Sequence, residues 1–226
     1  MPVELPNIDF RKPSKNPTID AETSPFELPF YKDNDYFVTI DNFVGFIRAV
    51  EKQVRTSVYY SRYISYLKQD VGLTACQVLS NIQDDDDGSY KGGPKHTLIE
   101  MHHGPILTLF DYVAIITDHL LYNNKKVNTF IVSDILLEEH FRNRIQVVML
   151  SKTVHEQVHE NNIFINLKQA FGDLTGFVKK YGDGLQADHI KKINKYVEKS
   201  KSYDSYDNNV LSLEGAVKKW NKELYE

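Results

Sequence analysis

The chain has 226 residues, of which 41% are apolar and 12% aromatic, enough for one good-sized domain or two small ones with a packed core. Its formal net charge of −4 gives no global basic signal for nucleic acid, although a local basic face can still contact phosphates. The single cysteine, Cys76, excludes an intramolecular disulfide and fits a reducing compartment. No apolar run reaches the ~18 residues needed to span a bilayer, so the sequence predicts a soluble, cytoplasmic protein without a membrane partner.

The first 35 residues are rich in proline, which lacks a backbone donor and fixes φ. Residues 1–35 are therefore predicted to form an extended arm. The arm is either a tethered tail or a segment that docks on a protein partner or a neighbouring subunit. The prolines in this stretch are Pro2, Pro6, Pro13, Pro17, Pro25 and Pro29.

Residues 36–72 are predicted to form one long helix. Asp41 can cap a helix that runs to about Gln69, because apolar residues recur along it at helical spacing. Arg55 and Arg62 accompany several tyrosines on this helix. These aromatic side chains either stack on nucleic-acid bases or, as stripes at helical spacing more often do, pack against a core. The tyrosines are Tyr59, Tyr60, Tyr63 and Tyr66.

The next predicted region, residues 73–166, opens with a hairpin. Residues 75–82 and 97–101 read as strands, joined by a long loop with the glycine, proline and aspartate content of a turn. The aspartate run after Gln83 does not match a calcium-binding EF-hand, because the twelfth position of that loop falls on Pro94. A solvated turn is expected there instead.

A helical insertion is predicted over residues 106–142. Residues 106–121 are strongly apolar, which is typical of a buried helix. Ser133 is expected to cap a second helix that ends near Arg142.

A further strand and helix are predicted to complete the region. Residues 145–150 are rich in β-branched side chains and read as a strand. Ser151 is then a suitable N-cap for a helix over residues 152–160.

Residues 167–226 are predicted to be helical and rich in lysine, with helices over 174–181, 187–199 and 212–224. The positive charge forms either a phosphate-contacting face or an ordinary solvated face balanced by nearby acidic residues. The candidate nucleic-acid-binding residues are Lys179, Lys180, Lys191, Lys192 and Lys195.

Four of the eight histidines lie in two short segments of the chain. His102 and His103 follow an alternating run, so on a strand their side chains point to opposite faces. His155 and His159 are spaced i, i+4, so on a helix they share one face and are close enough to bind one ion.

This order of elements resembles the HNH, or ββα-metal, nuclease family, and most of all its colicin-type DNases. In that family a strand ending in two histidines is followed by a second strand and by a helix carrying His-x-x-x-His. The resemblance implies an α+β fold, a mostly helical chain around a small ββα-metal core. It implies that His102, His155 and His159 bind one divalent ion (Mg²⁺, Mn²⁺, Ni²⁺ or Zn²⁺) and that His103 is the general base. The position that matches the family's middle asparagine holds Gln146, with Asn143 nearby, and the resemblance implies that the Gln146 amide orients the base.

The sequence therefore supports two hypotheses from different classes. The first is a metal-dependent endonuclease of a phage or mobile element, acting in the host cytoplasm on nucleic acid, expected to be DNA. The second is a non-catalytic interaction protein whose histidines hold a structural ion or none. The glutamine at position 146 and the net charge of −4 favour the second hypothesis.

Overall fold

The structure, a computed structural model, describes residues 30–79, 82–84 and 96–204. Helices dominate this part of the chain, and its short strands form two separate two-stranded sheets. The predicted α+β class with a mostly helical chain is therefore confirmed. The helices are α1 (Ile40–Arg55), α2 (Val58–Gln69), α3 (Leu109–Tyr122), α4 (Thr129–Phe141), α5 (Lys152–His159), α6 (Leu174–Tyr181) and α7 (Ala187–Asp204). The strands are β1 (Gln83–Asp84), β2 (His96–Thr97), β3 (Ile99–His103) and β4 (Val147–Ser151).

The antiparallel pair of β3 and β4 is the part of the fold that positions the candidate site. Ile99 pairs with Ser151 at one end, and His103 pairs with Val147 at the other. Side chains of β3 alternate between buried and partly exposed, whereas all of β4 is buried. Helix α5 follows β4 directly and contacts both strands. Two strands and one helix thus form a ββα unit, and α3 and α4 are inserted between its strands.

The apolar core joins this unit to the surrounding helices. Helix α1 packs against both α3 and α4, and α2 also contacts α4. Tyr63 and Leu67 of α2, Tyr112 of α3 and Phe177 of α6 are among the large side chains that are fully buried there. The inserted helices therefore supply much of the core on which the ββα unit rests.

The single long helix predicted over residues 36–72 is wrong, because the chain breaks between α1 and α2. The Thr56 hydroxyl donates to the Lys52 carbonyl at 2.9 Å, and the Ser57 hydroxyl accepts from the Tyr60 N–H at 3.1 Å. These bonds end one helix and cap the next. Short polar side chains commonly do this at helix boundaries, because they can bond to the backbone groups that the helix leaves unpaired. The prediction that Asp41 caps α1 is also wrong, because the N-cap is Thr39 and Asp41 lies in the first turn of the helix.

The strand predicted over residues 75–82 is also wrong. The Cys76 N–H donates to the Ile82 carbonyl at 2.9 Å, so the chain turns back on itself instead of extending. The predicted hairpin is not formed, because β3 takes β4 as its partner and β1 pairs with β2 in parallel. Of the predicted aspartate turn, residues 85–88 lie outside the described residues. Asp84 is largely buried and lies 2.7 Å from the Lys68 ammonium.

The two inserted helices begin at other residues than predicted. Helix α3 starts at Leu109 rather than near residue 106, because Thr108 and Asp111 form a reciprocal capping box. Helix α4 starts at Thr129, where the Asn128 side chain accepts from the Ile131 N–H at 2.8 Å. Ser133 therefore lies inside α4 rather than at its start.

The later elements agree more closely with the sequence. Helix α6 has the predicted bounds, and α5 ends within one residue of its predicted end. Ser151 occupies the N-cap position of α5 but makes no side-chain capping bond to the described residues. The predicted arm up to residue 29 and the predicted helix over 212–224 lie outside the described residues. Within the described ranges, no helix is both long and apolar enough to cross a membrane.

Candidate metal centre

The ββα unit brings three histidines together at one end of β3. His102 lies near the end of that strand, on the face that is not packed into the core. His155 and His159 project from α5, one helical turn apart. Antiparallel pairing and the immediate start of α5 after β4 therefore place all three rings on the same side of the sheet.

The three rings converge closely enough to share an ion. The Nε2 atoms of His155 and His159 are 3.0 Å apart. The ring centroid of His102 lies 5.0 Å from that of His155 and 5.1 Å from that of His159. One ligand nitrogen from each ring lies within 4.8 Å of the others, the one such group of three found in the described part of the chain. The structure thus brings together the three residues predicted as metal ligands.

A carboxylate behind the cluster orients one of its rings. Glu100 precedes His102 by two residues on β3, so both side chains lie on the same face. Its Oε2 lies 2.6 Å from Nδ1 of His155. A proton on Nδ1 leaves Nε2 of His155 with a free lone pair, as in the carboxylate–histidine pairs that orient metal ligands. Glu100 was not predicted as a site residue, although its spacing of two residues from His102 on a strand places both side chains on one face.

The electrostatics of the cluster suit a ligand role. Burial lowers the pKa of His102 to about 4, and the nearby charges of the other two histidines and of Arg55 act in the same direction. His102 is therefore neutral near pH 7 and keeps a lone pair for a metal ion. His159 is exposed, so the cluster faces solvent on one side. Gly104 leaves room for the His102 ring, since a Cβ atom there would lie 2.9 Å from Nε2 of His102.

His103 lies on the opposite face of β3, apart from these three rings. It is only 6% exposed, and its Nε2 lies 2.9 Å from Nε2 of His140 in α4. Tyr60 stacks on His103, and Tyr63 meets the His140 ring edge-on. Burial, and then the charges of His140 and Arg55, lowers the pKa of His103 well below its ordinary value. We call these two residues the His103–His140 pair.

Gln146 approaches the end of β3 through its backbone. Its carbonyl accepts from the Gly104 N–H at 3.2 Å, and its own N–H donates to the Tyr112 hydroxyl at 3.0 Å. The side-chain oxygen of Gln146 is buried and has no hydrogen-bond partner among the described residues. This side-chain oxygen therefore makes no hydrogen bond to His103, and the predicted role of the Gln146 amide in orienting His103 stays a prediction.

A sequence profile of the bacteriophage G278-like virion protein family matches residues 8–223. The chain belongs to this family. The association with a bacteriophage that the sequence predicted is thereby confirmed, and the description of the family associates the chain with a phage particle. No match to the chain was found among curated proteins or among solved structures.

The lysines predicted to bind nucleic acid lie on α6 and α7 and differ in their surroundings. The Lys180 ammonium lies 2.6 Å from the buried carboxylate of Glu139, and the Lys192 ammonium lies 2.5 Å from Asp111. These two lysines help to hold the helices together. The other three, all exposed, are Lys179, Lys191 and Lys195.

Proposed function

We propose that this phage protein is a metal-dependent endonuclease of the HNH type, which hydrolyses phosphodiester bonds in DNA. The observation that carries the proposal is the convergence of His102, His155 and His159 on one side of a ββα unit. A partly solvent-facing set of three imidazole ligands leaves coordination positions open for a substrate oxygen. The resemblance in sequence and the arrangement in space thus support the same chemistry.

The donor set fits a divalent ion of borderline softness. Neutral imidazoles favour Zn²⁺ and Ni²⁺ over Mg²⁺, which prefers oxygen ligands. His102, His155 and His159 would hold the ion, and Glu100 would keep His155 in the ligating tautomer. When bound, the ion would polarise a phosphate oxygen and stabilise the charge on the leaving oxygen.

The remaining steps would fall to other residues of the chain. His103 would take a proton from water, and the resulting hydroxide would attack phosphorus as the bond to the leaving oxygen breaks. The leaving oxygen would then take a proton from solvent. The exposed Lys191 and Lys195 lie one turn apart on α7 and could contact backbone phosphates.

The proposal is tested by metal content and by nicking of supercoiled plasmid DNA with Mg²⁺, Mn²⁺, Ni²⁺ or Zn²⁺. We expect about one equivalent of ion per chain in the wild type. The His155→Ala/His159→Ala variant should lose both the ion and the cleavage. His189→Ala, in α7 and outside the cluster, is the matched control and should keep both. His103→Ala should abolish cleavage while the ion stays bound. No cleavage with any of the four ions would overturn the proposal.

A second candidate function is favoured by the burial of His103, which is only 6% exposed and bonded to His140. In this alternative the ion is structural, and the protein is a non-catalytic part of the particle that contacts other phage proteins. In this alternative the predicted arm over residues 1–35 would dock on a partner rather than form a tethered tail, and the host cytoplasm remains the predicted location. Here chelation would lower the melting temperature, and no ion would support cleavage.

A further inference from the structure

The His103–His140 pair belongs to a chain of hydrogen bonds whose proton positions can be assigned. Nδ1 of His140 lies 2.7 Å from the carbonyl oxygen of Leu136. A carbonyl only accepts, so this contact places a proton on Nδ1 of His140. In a neutral imidazole, Nε2 is then the acceptor. The 2.9 Å contact between the two Nε2 atoms is therefore donated by His103.

We propose that His140 is a positioning residue that holds His103 in its Nε2–H tautomer and so leaves Nδ1 of His103 as the nitrogen that would accept a proton. This inference deepens the proposed nuclease function and rests on it. His140 lies in the inserted helix α4, so it is an addition to the ββα unit rather than part of it. It would do for His103 what a third group does for the base in other catalytic constellations, which is to fix tautomer and orientation.

The surroundings of the pair support a fixed arrangement. His140 is fully buried, and Tyr63 of α2 packs against its ring at a centroid distance of 5.1 Å. Tyr60, from the same helix, stacks on His103 at 6.0 Å with nearly parallel planes. Tyrosines of α2 thus contact both imidazoles, and the two imidazoles also contact each other. The two nitrogens of a ring point in widely different directions, so Nδ1 of His103 faces away from His140.

Transfer of a proton from water to His103 would leave this chain of hydrogen bonds intact. An O–H bond of water breaks and an N–H bond forms at Nδ1 of His103, while the electron pair stays on the hydroxide that attacks phosphorus. The His103 ring becomes positive and still donates its Nε2–H to His140. His140 in turn donates to the Leu136 carbonyl, so each member of the chain keeps its partner.

The direct test is NMR of protein labelled with ¹⁵N in its histidines, in which couplings to carbon-bound ring protons distinguish the two tautomers. We expect His103 to carry its proton on Nε2, and His140 to carry its proton on Nδ1. The opposite tautomer for His103 in the wild type would overturn the inference, whatever the activity of the protein. A residue that only filled space beside His103 would not impose one tautomer.

Two variants of His140 connect the tautomer to cleavage. His140→Gln keeps an amide donor for Leu136 and an oxygen acceptor for His103, whereas His140→Phe keeps the ring shape without either. We expect roughly 100-fold slower cleavage in His140→Phe, a mixture of His103 tautomers and unchanged metal content. His140→Gln should retain most of the cleavage and a single His103 tautomer. If His140→Phe does not fold, His140→Gln and the wild-type spectrum still decide the question.

The outcomes separate this inference from the proposed function. Cleavage by the wild type together with equal cleavage by folded His140→Phe would overturn the role of His140 and leave the nuclease proposal intact. The expected tautomer without cleavage by any metal-loaded sample would overturn the nuclease proposal, while the assignment of the His103 tautomer to His140 would stand.

Discussion

The two faces of β3 carry the same kind of side chain in two different environments. On one face, His102 meets His155 and His159 at a site that opens to solvent. On the other, His103 meets His140 beneath two tyrosines of α2. In the first set, nitrogen atoms from three rings converge closely enough to bind one ion. In the second, His103 and His140 are joined through their Nε2 atoms, and Nδ1 of His140 donates to a backbone carbonyl.

This difference shows how neighbouring residues acquire separate chemistry. Alternation along a strand sends His102 and His103 to opposite faces, and the elements that cover each face decide the rest. Helix α5 adds further ligands on one side, and the inserted helix α4 adds a hydrogen-bond partner on the other. We therefore expect substitutions on the buried face to change stability without changing metal affinity, and substitutions on the open face to change metal affinity.

The largest effect is expected from Tyr63→Ala, which removes the fully buried ring against His140. Loss of this ring leaves a cavity and should lower the free energy of unfolding by about 3–5 kcal/mol. Urea unfolding measures this loss, and Tyr59→Ala is the control, because Tyr59 is an exposed tyrosine of the same helix. In folded Tyr63→Ala the affinity for Zn²⁺ should be almost unchanged. A large loss of affinity would show that the two faces are coupled.

Acidification should destabilise the protein through the buried pair. Burial lowers the pKa of His140 to about 4, below the ordinary value of 6.5. As the pH falls through this window, the unfolded chain binds a proton at His140 before the folded chain does, so stability falls. The loss should reach roughly 3 kcal/mol for this one group and be complete near pH 4.

Urea unfolding at about pH 7 and about pH 4.5 measures this dependence. His140→Gln removes the titrating group, and its stability should therefore fall less on acidification than that of the wild type. Equal dependence in both proteins would mean that His140 does not account for the loss.

The third prediction concerns the carboxylate that orients His155. Glu100→Gln should weaken Zn²⁺ binding roughly 10- to 100-fold, the usual effect of losing such a partner of a metal ligand. Calorimetric titration with Zn²⁺ measures the affinity. Glu156→Gln, an exposed position on α5, is the matched control and should bind Zn²⁺ like the wild type. If both variants bind equally well, Glu100 has no part in the site.

The smallest effect is expected from Gly104→Ala. The new methyl group would lie 2.9 Å from Nε2 of His102 and would force that ring away from its position. A displaced rotamer costs about 0.5–1.5 kcal/mol, so Zn²⁺ affinity should fall roughly two- to tenfold. Gly45→Ala in α1 adds a methyl group with no atom within 4 Å and serves as the control. Unchanged affinity in Gly104→Ala would show that the ring tolerates the shift.

The grouping of the three ligands could be predicted from the sequence because it depends on local geometry. The i, i+4 spacing of His155 and His159 fixes their common face on a helix, and a strand end places His102. Helix α6 was predicted with its observed bounds for a similar reason, since its apolar spacing is local information.

The errors and omissions arise where tertiary contacts or competing local bonds decide. The apolar pattern continues through Thr56 and Ser57, but their hydroxyl groups bond to the backbone and divide the helix. Residues 75–82 have the composition of a strand, but β3, their predicted partner, pairs with β4 instead. The sequence did not indicate a role for His140, because its partner His103 lies far away along the chain and meets it only through tertiary packing.

The order in which the chain is made has a consequence for when an ion can bind. Strands β3 and β4 pair across residues 104–146, a stretch that includes both inserted helices. Closing so long a loop has an entropic cost, and local helices form faster than distant strand pairs. His102 leaves the ribosome well before His155 and His159 do. We therefore expect the ion to be acquired late, by a nearly folded chain, rather than to nucleate its folding.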